Sequence, residues 1–138
     1  MTARSKLITL MAQREASEIA NARRAFAHVV QEQQAAQSMT QRLSALLDQR
    51  REEGREQMSV AELRQHRHLS SQLAAEAERT RLRAAQMQAE VDAAMANLSR
   101  KKHRKQVLDE AALTARKAEA QEQEQRREAA RIPYTRRP

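Results

Sequence analysis

Two long tracks of mostly apolar residues, each advancing alternately by three and four positions, run through this chain and leave it few folds to choose from. The first passes through Ile8, Ala12, Glu15, Ile19, Ala22, Phe26, Val29, Gln33, Ala36, Thr40, Leu43 and Leu47. The second passes through Leu63, His66, Ser70, Leu73, Ala77, Thr80, Ala84, Met87, Val91, Ala94 and Leu98. Such spacing lays one narrow stripe along a helix, and the stripe needs a second helix to cover it, because a polar helix alone is marginal in water. The tracks mirror each other about Glu56 and Gln57, so the chain is expected to fold back there as an antiparallel hairpin. Mirroring about that point puts Phe26 in one layer with Met87, Val29 with Ala84, and the polar Gln33 with Thr80.

Composition agrees with a seam and not with a thick core. Of 138 residues, 40% are hydrophobic but only 1% aromatic, and there is one glycine. Much of the apolar count is alanine, accompanied by Leu, Met, Gln, Glu and Arg, the strong helix formers. The fold class expected is all-α: a long two-helix antiparallel coiled-coil hairpin with an overhanging C-terminal helix, as a single domain over residues 1–138.

Local signals place its parts. The first helix is expected over about 5–53 and ends before Gly54, a residue suited to the left-handed conformation that closes helices. A turn over 54–59 follows. Ser59 and Glu62 then have the spacing of a capping box, in which each side chain accepts from the other's backbone amide, with Met58 and Leu63 as its hydrophobic staple. The second helix is expected over about 60–131, because Ile132-Pro133 disfavours helix, and a tail covers 132–138. Pairing about residue 56 sets Lys101 and Lys105 opposite Ala12 and Ile8, their stems covering the seam while their charges reach water. It also leaves Ala112 to Arg131 as an uncovered polar helix, about 30 Å long at about 1.5 Å per residue.

Several function classes fall away. No cysteine is present, which removes disulfides, thiolate catalysis and cysteine-ligated zinc, and the cytoplasm is the default compartment. One glycine excludes the glycine-rich phosphate cradles of nucleotide hydrolases. His66 and His68 point to different helix faces, and His28 and His103 have no ligand set nearby, so no metal and no cofactor are expected. A helical pair offers no concave site in which a nucleophile and its base could be desolvated, so no enzyme is expected. The apolar stretch after Lys6 closes at Gln13 and Arg14, too short for a secretion signal, and no apolar run approaches the roughly 20 residues of a membrane span.

What remains is charge. The formal net charge is +8, concentrated in Arg100-Lys101-Lys102-His103-Arg104-Lys105 and in Arg131, Arg136 and Arg137. Such a block is a solvated helix face, or else a surface for an acidic protein, an anionic lipid or nucleic-acid phosphate. Nucleic acid is the weakest of these, because no aromatic residues are interleaved for base stacking.

With a lone hairpin, a short first arm and a basic second arm in place, the chain resembles the FliJ family of flagellar export proteins and the YscO-like central stalks of virulence type III secretion. The resemblance is carried by Leu10-Met11-Ala12-Gln13-Arg14-Glu15-Ala16-Ser17-Glu18-Ile19-Ala20-Asn21-Ala22-Arg23, by Leu69 and Leu73, by Arg100-Lys101-Lys102, and by Arg126-Arg127-Glu128-Ala129-Ala130-Arg131. It implies a non-catalytic role. One end of the coil enters the central hole of a hexameric export ATPase, while the hairpin elsewhere contacts the membrane export gate and recycles export chaperones. The implied location is cytoplasmic, peripherally associated with the export apparatus at the inner membrane. By the same resemblance Leu43, Leu46, Leu69 and Leu73 match positions of the gate or chaperone surface. Seam spacing also assigns Leu43 and Leu73 to packing, whereas Leu46 and Leu69 sit beside the seam. Arg100, Lys102, Arg104, Arg126 and Arg127 are the candidates for partner binding through the basic block and C-terminal helix. The competing reading, from a different class, is a structural coiled coil that oligomerises or binds nucleic acid through the basic block.

Overall fold

The computed structural model describes residues 2–54 and 56–131. Two α-helices, α1 (Ala3–Glu53, 51 residues) and α2 (Val60–Arg131, 72 residues), pack against each other, and no strand occurs among the described residues. The fold is therefore all-α. The chain divides into two compact units. One, residues 23–97, holds the end of α1, the turn and the first part of α2; the other joins residues 2–22 to 98–131.

Both helix ends next to the turn have local causes. Ser59 and Glu62 form the reciprocal box: the Ser59 amide donates to Glu62 Oε2 at 3.3 Å, and the Glu62 amide donates to Ser59 Oγ at 3.2 Å. The first α2 bond, Leu63 amide to Ser59 carbonyl at 2.9 Å, follows at once. Ser59→Ala removes one half of this cap and is expected to cost about 1 kcal/mol in urea denaturation. Gly54 acts differently from expectation. Its φ is not positive, and its amide still bonds to the Arg50 carbonyl at 3.0 Å, as in a continuing helix. Its value lies in the missing side chain: a Cβ there would come within 2.7 Å of His66 Nε2. Glycine lets α2 approach the end of α1.

That approach also corrects the register. In the turn-bearing unit the side-chain amide of Gln33 donates to Gln88, and Met87 lies beside Glu32, Ala36 and Met39, so the layers of Gln33 with Thr80 and Phe26 with Met87 are not formed. Thr80 instead bonds its own helix, to the Glu76 carbonyl at 2.8 Å. In the other unit Lys101 reaches Glu18, not Ala12, at 3.0 Å. Within each unit the facing residues are thus displaced by about one heptad, two helical turns. A heptad track repeats, so sliding one helix by a whole heptad leaves the same positions on the seam, and mirror symmetry alone does not choose among such slides. Because α1 already ends opposite His66, the first turns of α2 have no cover, and Val60 and Leu63 are exposed.

The same slide shortens the overhang. Ala112, expected to begin it, is buried and flanks Thr9 and Ala12. Pairing continues to Glu119, which bonds Thr2, and from Ala120 to Arg131 every residue is exposed. The uncovered helix is about 18 Å long at about 1.5 Å per residue. The expected tail 132–138, with Arg136 and Arg137, lies outside the described residues.

Candidate functional site

In the turn-bearing unit the four candidate leucines separate by burial. Leu43 is 9% exposed and belongs to the seam, and Leu73 is half-buried there. Leu46 is 47% exposed. Leu69 is half-buried and lines a shallow groove with Arg50, Met58 and Glu62. Met39, seven residues before Leu46, and Glu76, seven after Leu69, line another groove together with Ala35 and Arg83. Since residues seven apart share a helix face, Leu46 and Leu69 lie on the same side of this unit as that groove. Met39, about half exposed there, escaped the sequence reading because it stands one position off the seam.

The basic block splits in the same way. Lys101 is tied to Glu18 at 3.0 Å and Lys105 to Asp109 at 2.7 Å. Arg100, Lys102 and Arg104 are exposed, as are Arg126 and Arg127 on the uncovered helix end. Glu18 shows what the cations do locally. The hydrogen bond and charge of Lys101, helped by Arg14 and Arg104, hold its carboxyl below the ordinary range.

The beginning of α1 is fastened to α2 through Glu119. Its Oε1 accepts from the Thr2 amide at 3.2 Å and from the Thr2 hydroxyl, and bonding to Thr2 and Ser5 lowers its pKa. Ser5, fully buried, donates to the Thr2 carbonyl at 3.1 Å. Thr9 donates to the Ser5 carbonyl at 2.8 Å and receives Arg116 at 3.5 Å. Lowered carboxylate pKa values mean that the associated stability is present above the unfolded pKa and lost as pH falls through the folded one. Acid is therefore expected to loosen the start of α1, seen as smaller amide-exchange protection factors, the rates being corrected for the intrinsic slowing of exchange at low pH, over the residues after Thr2. Exposed pairs of this kind contribute little to global stability.

One seam residue is not satisfied. An oxygen of Glu15 is buried without a hydrogen-bond partner. Glu15→Leu keeps helix propensity while removing that acceptor, and is expected to raise stability by about 1 kcal/mol or more, read as a higher urea midpoint.

Among the described residues no group of three His, Cys, Asp or Glu side chains is placed to hold a metal ion, and no helix is long and apolar enough to cross a membrane. What these helices offer is surface: an apolar side near the turn, a set of exposed cations, and an uncovered polar helix end. No protein-family model, no curated protein and no solved structure matches the chain.

Proposed function

We propose that the chain is a non-catalytic stalk and chaperone-escort component of a bacterial type III protein export apparatus, flagellar or virulence-associated, acting between a hexameric export ATPase and the membrane export gate. The observation that carries this reading is the exposed end of α2 from Ala120 to Arg131. It is a polar helix bearing Arg126 and Arg127, held out by a paired segment that closes at Glu119. A helix end with no apolar stripe gains nothing from covering itself and suits a hydrated, charged lumen such as that of an ATPase ring. Leu46 and Leu69, on the exposed side of the turn-bearing unit, serve as the contact for the gate or an export chaperone. Leu43 and Leu73 act through packing. The exposed cations Arg100, Lys102 and Arg104 attract an acidic partner surface. The site of action is the cytoplasmic face of the inner membrane, reached through the gate.

A chain ending at Ala120 tests the ring contact. It keeps the Thr2–Glu119 fastening, so circular dichroism is expected to show a folded helical protein with an unchanged melting temperature. Its stimulation of ATP hydrolysis by the export ATPase of the same cell is expected to vanish. Undiminished stimulation would place the ring contact elsewhere or refute the reading.

A further inference from the structure

In the first turns of α1 the seam is carried by Ser5, Ile8, Ala12 and Glu15, all buried or half-buried, and the helix turns a second set of residues outward. Ala3, Leu7, Leu10 and Arg14, spaced by four, three and four, form that outer column, and all are exposed. Leu7 is 59% exposed, Leu10 60% and Met11, beside them, 47%. Ile8 and Thr9, not these three, line the grooves against α2, so the apolar patch stands on the convex ridge of one helix. By helical geometry Lys6 flanks the patch on one side and Arg4 on the other, and Arg14 closes its end.

The ridge itself carries no acid. No carboxylate occurs between Thr2 and Arg14, and the next two turn inward: Glu15 is half-buried on the seam and Glu18 is bound to Lys101 at 3.0 Å. Glu119 and Glu122 share a groove with Arg4 and offset its charge. The positive charge of the ridge therefore rests on two other residues. Lys6 is exposed and has no ion pair among the described residues; Arg14, with a side chain 82% exposed, lies 3.7 Å from the Glu18 carboxylate that it shares with Lys101. Three part-exposed side chains on a convex ridge fall well short of the about 1,000 Å² of a specific protein interface. A bilayer surface asks for no such area and no matching groove: apolar side chains enter below the phosphates while flanking cations stay among them. This opening is too short for a membrane span, but its pattern is that of a helix lying in the interface. We infer that the outer face of α1 from Ala3 to Arg14 rests on an anionic lipid surface, with Leu7, Leu10 and Met11 inserted and Lys6 and Arg14 at the headgroups.

The inference goes beyond the export reading and is tested without any export component. The full chain is expected to co-sediment with vesicles of phosphatidylglycerol and phosphatidylcholine, not with phosphatidylcholine alone, and to be released by added salt. Leu7→Glu with Leu10→Glu alters exposed side chains, so the helical circular dichroism should persist while vesicle binding is lost. Lys6→Glu with Arg14→Glu should lower binding by about tenfold or more. Since the chain has no native cysteine, a polarity-sensitive fluorophore placed at Leu10→Cys reports insertion. Its emission should shift to the blue on anionic vesicles, whereas the same label at Leu113→Cys, on α2 away from the ridge, should not shift. Absence of binding to the anionic vesicles overturns the inference. So does binding that survives Leu7→Glu with Leu10→Glu and is lost on reversing Arg100, Lys102 and Arg104, which would make the basic block the lipid contact. Self-association of the chain without vesicles, abolished by the same leucine variant, would give the ridge to a second copy and overturn it as well.

Discussion

Leu43→Ala is expected to cost about 2 kcal/mol or more, the lower part of the range for truncating a buried leucine, and to lower the melting temperature accordingly. Leu43 is among the most buried apolar side chains of its unit. A seam one side chain wide has no second layer to collapse into the space left behind, so the lost contacts are not replaced. Leu46→Ala, three residues away, removes the same atoms from a side chain that is 47% exposed and should change stability by no more than about 0.5 kcal/mol. The functional expectation is the reverse. Leu46→Ala should weaken binding to the export gate or a chaperone while the protein stays folded, whereas Leu43→Ala should weaken it only as far as it unfolds the helix pair. Equal losses of stability in the two variants would show that Leu46 packs as Leu43 does.

Reversing the charge of Arg100, Lys102 and Arg104 together is the second large effect expected. All three side chains are exposed, unlike Lys101 and Lys105, which are engaged with Glu18 and Asp109. Their direct cost to folding should be small, about 0.5 kcal/mol or less each, so any strong loss must come from a partner. If that partner is an acidic surface of the ATPase or gate, binding should fall by an order of magnitude or more, and the wild-type interaction should itself weaken with added salt. Mobility-shift assays distinguish the competing reading: sequence-independent binding to duplex DNA with a steep salt slope, lost in the triple variant, would make the block a nucleic-acid surface. Unchanged binding and export would leave it a solvated helix face.

Much of the fold was legible because heptad spacing is a local property. Every position of the first track is buried or half-buried, and in the second only Leu63 is exposed. The S-x-x-E at Ser59 and Glu62 was legible for the same reason, since its two hydrogen bonds involve nothing beyond four residues. Register is not local. Choosing between slides of one heptad requires knowing that Gly54 admits His66, that Gln33 finds Gln88, and that Thr80 satisfies itself on its own helix. None of these is a seam property. The misjudged slide then carried over into the length of the overhang, which put Ala112 in solvent when it is buried.

The candidate surfaces were legible to the extent that they adjoin the seam. Leu46 and Leu69 were separable from Leu43 and Leu73 by spacing alone, and their exposures follow that order on α1. Among the cations, spacing identified Lys101 and Lys105 as seam residues but not their partners, because Glu18 and Asp109 depend on register and rotamer.

The pairing of α1 with α2 inside one chain decides which residues are free for partners, and it is open to direct measurement. The chain has no native cysteine, so Gln33→Cys and Gln88→Cys introduce a unique pair of thiols where two side chains now meet. A short bifunctional thiol reagent at low protein concentration should join them within one chain, giving a faster-migrating monomer band. The pair Phe26→Cys and Met87→Cys, which the unshifted mirror register would bring together, should react poorly. Efficient crosslinking of 26 with 87 would contradict the register, and crosslinking of 33 with 88 only between chains would contradict the hairpin itself.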